Sequence, residues 1–278
     1  MRASVRKFYV TLEKIASHCS DSILSQNQED IETAIREGIC TAEKIKFLGN
    51  GIDLQRFDRD RVDSHVVKKV RQQLKLPIDA PVIGFVGRLV AEKGILELLQ
   101  AARIILREVP LARVLIIGPM DLEKRDALRP EIARDYGVQD SFVFTGMRKD
   151  MPELYSLMDV FVLPSHREGF PRAPMEASAM GVPCIVTNIR GCRETVETGR
   201  NGLIVAPRDV HALADAIVEL LTDRERAQKM GEEGRRIARE RFDERVVFER
   251  VKAEYARQLK EKGIPVPSRA FRSHAIAL

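Results

Sequence analysis

Between residues 82 and 205 the sequence repeats one pattern: a short, unbroken apolar run, then a stretch with helical spacing. The runs are Val82–Val86, Val114–Ile117, Phe142–Phe144, Val160–Leu163, Cys184–Val186 and Leu203–Val205, rich in Val, Ile and Phe. Unbroken rather than alternating hydrophobicity marks strands covered on both faces, as in a parallel sheet. Helical patterns follow the runs at 94–109, 124–136, 151–158, 174–180, 193–198 and 210–222. This alternation predicts the α/β class, with a doubly wound parallel sheet of about six strands. Two charged helices, about 224–240 and 244–262, come next, and the aperiodic residues 264–278 read as a tail.

Upstream, residues 1–51 read as helix, strand, helix, strand. Val5, Tyr9, Leu12 and Ile15 recur at helical spacing, Asp21–Ser25 and Lys44–Leu48 are short strands, and Asn27 is placed to cap a helix ending near Gly38. Gly49-Asn50-Gly51 is a turn signal. Residues 52–80 are polar, carry one amphipathic helix at about 63–74, and break at Leu76–Pro81, so a domain boundary is expected within 50–80.

Composition narrows the ligand classes. No window reaches the ~18–20 apolar residues of a spanning helix, and the N-terminus lacks the apolar core of a secretory leader. Forty-six basic against 41 acidic residues give +5, and aromatics are 5% with no Trp. That balance suits anionic small molecules or an anionic membrane face and argues against a base-stacking nucleic-acid surface. Cys19, Cys40, Cys184 and Cys192 show no CxxC spacing and the five His no zinc pattern. Reduced cytosolic thiols are expected, with Cys40 and Cys184 buried among apolar neighbours.

In doubly wound sheets, ligands bind beyond the carboxyl ends of strands, near helix N-termini. After the first strand, Gly84 and Gly87 allow close backbone approach, and Arg88 and Lys93 precede a helix start. A diphosphate is the natural guest. The plainer reading is two surface cations beside a glycine turn. After the fourth strand come Glu168 on a loop and Glu176, eight residues later, expected in the first turn of the next helix with Pro174. Such carboxylates can accept hydrogen bonds from sugar hydroxyls. Equally, Glu176 could merely complement a helix N-terminus while Glu168 is solvated. Paired carboxylates also suggest glycoside hydrolysis, but hydrolases of neutral glycans have no use for an adjoining anion site.

Arg88 and Lys93 after a glycine-rich strand, then Glu168-Gly169-Phe170 and Glu176, resemble the retaining glycosyltransferases of family 4, which share an E-x7-E motif and the two-domain GT-B fold. Gly49-Asn50-Gly51-Ile52-Asp53 is similar to the family's NG(V/I)D interdomain linker, and Asn201-Gly202-Leu203 to its NGxL run. The resemblance spans about residues 10–262. The wording of 164–177 and 188–196 is most similar to members that build bacterial capsule, O-antigen or other lipid-linked glycans.

The resemblance implies a GT-B C-terminal Rossmann-like domain plus a partial N-terminal Rossmann-like domain. Residues 1–51 would be the remnant of an acceptor domain, 52–80 a linker, 81–242 the donor-binding domain, 243–263 a helix packing back towards the N-terminal part, and 264–278 a flexible tail. Arg88 and Lys93 would hold the donor diphosphate, with Gly87 beside it. Glu168, with backbone amides at Gly169, Phe170 and Pro171, would contact the donor sugar and its phosphate, and Glu176 the ribose. Gly146, Met147 and Arg148 would seat the base, read mostly by backbone, with a UDP-sugar the first choice of donor. Transfer to a glycan or polyprenyl-linked acceptor would be retaining and metal-independent, with no cofactor beyond the nucleotide-sugar and no DxD motif near a strand end. The setting would be the cytoplasm at the inner face of the plasma membrane, with the early helix carrying Arg2, Arg6, Lys7 and Lys14. His166 is a tempting acid or base, though the family varies at this position, and Cys192 is not expected to react. The main departure is the missing acceptor half. Three readings follow: a fragment of an ordinary enzyme, a donor-binding half served by a partner chain, or a nucleotide-sugar-binding protein without transfer activity.

Overall fold

The computed structural model describes residues 3–265; Arg2 and residues 266–278 of the expected tail lie outside the described residues. The chain divides into two compact units, residues 1–51 with 244–278, and residues 52–243.

The smaller unit begins with α1 (Ala3–His18), followed by β1 (Ile23–Ser25), α2 (Gln28–Arg36) and β2 (Ile45–Phe47). β1 and β2 pair in parallel, Ile23 opposite Ile45, with α2 as the crossover. Asn27 caps α2, its side-chain oxygen accepting from Glu29 N at 2.8 Å. The unit's closing helix (Glu244–Glu261, α10 in chain order) is tied to β2: Lys46 Nζ lies 2.5 Å from Glu254 Oε2, and the Arg250 guanidinium sits 5.5 Å from the Phe47 ring centre. Arg257 and Lys46 beside the Glu254 carboxyl hold it well below the usual carboxylate range. On α1, Val5, Phe8, Tyr9, Leu12 and Ile15 are 41–60% exposed, so the apolar row read from the sequence is only partly covered among the described residues. No helix among the described residues is long and apolar enough to cross a membrane.

The larger unit continues with α3 (Ser64–Gln73), β3 (Val82–Val86), α4 (Ile95–Glu108), β4 (Arg113–Ile117), α5 (Ile132–Asp135), β5 (Phe142–Phe144), α6 (Met151–Ser156), β6 (Val160–Leu163), α7 (Arg172–Ala179), β7 (Cys184–Thr187), β8 (Gly202–Val205), α8 (Val210–Thr222) and α9 (Arg224–Arg241). Its six strands are all parallel, in the order β5-β4-β3-β6-β7-β8. The chain winds outward from the middle in both directions, and right-handed crossovers therefore place α4 and α7 on opposite faces. α4 packs against α8 and α7 against α9. Ile95, Leu98, Leu99 and Ile105 of α4 are fully buried at helical spacing, each contributing roughly 1.5–3 kcal/mol.

The central ladder is short. β3 pairs with β4 over five residue pairs but with β6 only at Ile83–Val160 and Gly84–Phe161. Beyond Gly84 the two central strands part at their carboxyl ends, which is where a doubly wound sheet forms its crevice.

Several expectations are corrected. Residues 52–80 are no linker: Ile52, Phe57, Val70 and Leu76 are buried in the core, and Ile52 N donates to Phe242 O at 2.8 Å. A polar composition concealed four apolar anchors. The helix expected at 124–136 forms only at Ile132–Asp135. Upstream of it, Ala91 N donates to Asp126 O and Leu128 N to Leu89 O, so this backbone is committed to the β3–α4 loop, and Pro130 disfavours helix at Arg129. At 193–198 only a single short turn forms, Cys192–Glu194. Cys184 and Cys192 are buried, but Cys40 is only half-buried.

Candidate functional site

The first wall of the crevice is the loop after β3. Gly87 N donates to Ile117 O at 2.9 Å, and a Cβ on Gly118 would lie 1.9 Å from Gly87 O, so β3 and β4 leave the sheet in close backbone contact. Arg88 turns to Asp121 on the neighbouring loop, Nη1 to Oδ2 at 2.7 Å, and remains 42% exposed. Lys93 turns the other way, its Nζ 2.5 Å from Glu168 Oε1, with side chains only 17% and 11% exposed. Between Lys93 and α4 stands Gly94, at φ +75°, where a Cβ would lie 2.0 Å from Pro164 O. Only glycine tolerates both the left-handed backbone and the approach.

The second wall is residues 164–171. Glu168 Oε1 also accepts from Ser165 Oγ at 2.8 Å, and the buried Thr187 hydroxyl donates to Ser165 O at 2.5 Å. Gly191 supports this loop from below: a Cβ there would lie 2.2 Å from Gly169 O. Around Gly169 itself nothing lies within 4 Å of an added Cβ, and Phe170 packs against the core. Pro171 occupies the N-cap position of α7 and has no N–H, so it cannot supply the backbone donor expected of it. α7 starts at Arg172, which puts Glu176 in its second turn rather than its first.

Glu176 faces inward. Its Oε2 accepts from the Tyr155 hydroxyl at 2.9 Å, and Tyr155 is fully buried against Phe57 and Phe161. Burial raises the Glu176 carboxyl above its ordinary range, while the Tyr155 hydrogen bond and the Arg172 and Arg56 charges pull it back. A carboxyl raised in the fold favours folding when protonated, and that contribution fades as pH rises through its folded pKa. Glu176→Gln is therefore expected to raise the melting temperature at pH 7, each kcal/mol gained being worth roughly 2–4 °C for a domain of this size. The gain should vanish near pH 4, the ordinary glutamate range. Calorimetric melts of both proteins at the two pH values check this; a gain equal at both would refute it.

After β5, Gly146 takes φ +68°, Met147 is 75% exposed, and Arg148 is clamped by Asp150 through Nε–Oδ1 at 2.8 Å and Nη2–Oδ2 at 2.5 Å. The Asp150 carboxylate thus serves Arg148 instead of capping α6, and each raises or lowers the other towards its charged form. Arg56 bridges this loop to α7, donating to Lys149 O at 3.0 Å while its charge acts on Glu176.

Lys93 and Glu168 are thus brought into contact, Arg88 flanks them on the loop towards β4, and Glu176 and Arg148 sit further along the same end of the sheet. His166 engages Glu97, with Nε2 2.7 Å from Oε1. Burial pushes the Cys192 thiol up to about 12, with the Glu168 charge adding to the rise, so the sulfur is unreactive at neutral pH. Tyr155, Ser165, Asp121, Asp150 and Gly94 were not singled out in the sequence. One had a signal: Tyr155 lies on the apolar face of its helix, where a buried hydroxyl needs a partner. Asn201, part of the NGxL run, is structural here: fully buried, it accepts from Glu197 N at 2.7 Å and donates to Thr195 O at 3.0 Å.

The family model for "Glycosyl transferases group 1" matches residues 66–237, more than half of the chain. The chain belongs to that family. This group 1 glycosyl transferase is 33% identical over 270 residues to the Staphylococcus aureus capsular polysaccharide biosynthesis glycosyltransferase CapM, covering 92% of this chain and 67% of that protein. It is 32% identical to the Escherichia coli UDP-Gal:alpha-D-GlcNAc-diphosphoundecaprenol alpha-1,3-galactosyltransferase, covering 80% of this chain and 57% of that one. It is 36% identical to the Mycobacterium tuberculosis GDP-mannose-dependent alpha-(1-6)-phosphatidylinositol monomannoside mannosyltransferase, covering 70% and 51%. The chain therefore spans between about half and two thirds of these relatives. Among solved structures, Anabaena HepE in complex with UDP and glucose superposes with a TM-score of 0.78 at 23% identity, covering 89% of this chain and 67% of that one. Sucrose-phosphate synthase from Thermosynechococcus elongatus does so at 0.76 and 27%, covering 92% and 62%. The GT-B relationship of the fold follows from these superpositions.

Proposed function

We propose that this chain binds the donor of a glycosyltransferase that moves a sugar from a nucleotide-sugar, a UDP-sugar first, to a lipid-linked glycan acceptor with retention and without a metal ion. The observation that carries the reading is the contact between Lys93 and Glu168 across the central crevice, with Arg88 on the same loop as Lys93 and turned to Asp121. Departure of a nucleoside diphosphate builds negative charge on the leaving oxygens. Fixed cations at that point stabilise the transition state more than the ground state. Arg88 and Lys93 hold the diphosphate near Gly87, and Glu168, freed from Lys93 as the lysine turns to phosphate, accepts from donor-sugar hydroxyls. Backbone at Gly169 and Phe170 completes that contact. Glu176, oriented by Tyr155, takes the ribose hydroxyls. The base rests on Gly146, Met147 and Arg148, whose guanidinium is clamped by Asp150. The E. coli relative is named for UDP-Gal and a diphosphoundecaprenol acceptor, which favours UDP and a polyprenyl carrier. Both it and the mycobacterial relative are named for alpha linkages, which suits retention. Contact with the acceptor's membrane falls to α1, where the exposed apolar row is flanked by Arg6, Lys7 and Lys14.

Titration calorimetry with UDP, GDP and ADP tests the reading. UDP is expected to bind tightest, and Arg88→Ala to weaken it by about 1.5–3 kcal/mol, the range for hydrogen bonds to charged groups. Unchanged affinity in the variant, or no nucleotide binding by the native chain, would sink it.

A further inference from the structure

His166 and Glu97 lie outside the roles assigned above, yet they span the same crevice. Four links join the 164–168 loop to the start of α4. Gly94 approaches Pro164 O so closely that a Cβ would lie 2.0 Å from it; His166 N donates to Glu92 O at 2.9 Å; Lys93 meets Glu168 at 2.5 Å; and His166 Nε2 lies 2.7 Å from Glu97 Oε1. The last is the only pairing of two side chains among them that does not use a proposed ligand-binding residue.

Glu97 stands in the first turn of α4 and is 14% exposed, while His166 is 21% exposed. The second carboxyl oxygen, Glu97 Oε2, is buried and meets no hydrogen-bond donor among the described residues. An orphaned buried oxygen costs stability, and an apolar pair of similar volume would hold two elements together at least as well. Fold stability alone therefore does not account for a carboxylate at this point. Directionality does. The hydrogen bond fixes the loop's position along α4, which a greasy contact would leave free to slide. The need is sharpest on ligand binding: when Lys93 turns from Glu168 to a phosphate, one of the two side-chain links is lost and the register of the side chains rests on the other.

We propose that Glu97 and His166 are a positioning pair, keeping Lys93 and Glu168 in register across the crevice while Lys93 engages the terminal phosphate of a nucleoside diphosphate. The proposal rests on the donor-site reading given above. Neither residue need touch the ligand. The pair should therefore matter for the phosphate that Lys93 reaches and little for the nucleoside end, held by α7 and the loop after β5.

The test compares UDP with UMP by titration calorimetry, in the native chain and in the double variant Glu97→Leu/His166→Phe. Removing both partners leaves neither stranded, so the variant is expected to fold. UDP affinity should fall about tenfold, or about 1.4 kcal/mol, with UMP affinity within about twofold of native. Glu97→Gln, which can still accept from the imidazole, should keep UDP binding within about threefold. Equal weakening of UDP and UMP, no weakening of either, or a double variant that fails to fold would each overturn the pair's role. The last would make it a structural strut. A native chain that binds neither nucleotide would remove the donor-site reading itself, whereas native UDP binding undiminished in the double variant would remove the pair alone.

Discussion

Lys93→Ala is expected to slow sugar transfer by about 10²–10³-fold, the usual cost of removing one preorganised group that stabilises developing negative charge. The Lys93 side chain is only 17% exposed and follows directly on the loop that Gly94 locks, so a turn from Glu168 to the phosphate is the one rearrangement it needs. Screening by water is weak in such a place, and the charge counts for more than it would at the surface. Lys93→Arg restores the charge but replaces a compact ammonium with a wide planar fork, and should recover only part of the rate. The measurement is single-turnover transfer of labelled sugar from the tightest-binding donor to a polyprenyl-diphosphate acceptor. A Lys93→Ala rate within threefold of native would take Lys93 out of the mechanism.

Gly94→Ala should be among the most damaging single methyls in the larger unit. Placing an L-residue at φ +75° costs roughly 1–2 kcal/mol. The new Cβ would then fall 2.0 Å from Pro164 O, a backbone atom that cannot swing aside. Overpacking of that kind adds about 1–3 kcal/mol, and relief by moving the loop would pull Glu168 away from Lys93. Gly146→Ala is the control, at φ +68° with nothing within 4 Å of its Cβ, so only the backbone penalty of about 1–2 kcal/mol applies. Urea unfolding should show Gly94→Ala losing clearly more stability, together with its nucleotide binding. Equal losses in the two variants would mean that the approach to Pro164 does not matter.

Much of this was written in the sequence because strand burial has a local signature. A parallel strand covered on both faces must be apolar at every position, as Val160-Phe161-Val162-Leu163 is, and all six runs form strands. Glycines next to strand ends likewise announced close backbone approach. What escaped notice depends on tertiary partners. Residues 124–131 have helical spacing, yet their backbone groups bond to Leu89 and Ala91, a choice made by a segment some 35 positions away. Ile52 and Phe57 read as isolated apolar residues in a polar stretch because the core they enter is built by later strands. At the site, residue types and chain positions were legible, but pairings were not. Nothing local says that Arg88 turns to Asp121, that Tyr155 reaches Glu176, or that His166 turns to Glu97 and not into the crevice.

The two-pair ladder between β3 and β6 bears on how such a site can diversify. The gap is opened by main-chain geometry at Gly84 and Phe161, and both flanking strands keep full partners on their outer sides, β4 for one and β7 for the other. Side chains on the rims can therefore be exchanged without dismantling any strand pairing. Selection, or a designer, can vary donor preference at exposed rim positions such as Met147, Lys149 and Arg167 while the scaffold beneath stays untouched. Variation is confined instead at the glycines where the rims meet, and a library that spares Gly87, Gly94, Gly118 and Gly191 keeps the largest share of folded members.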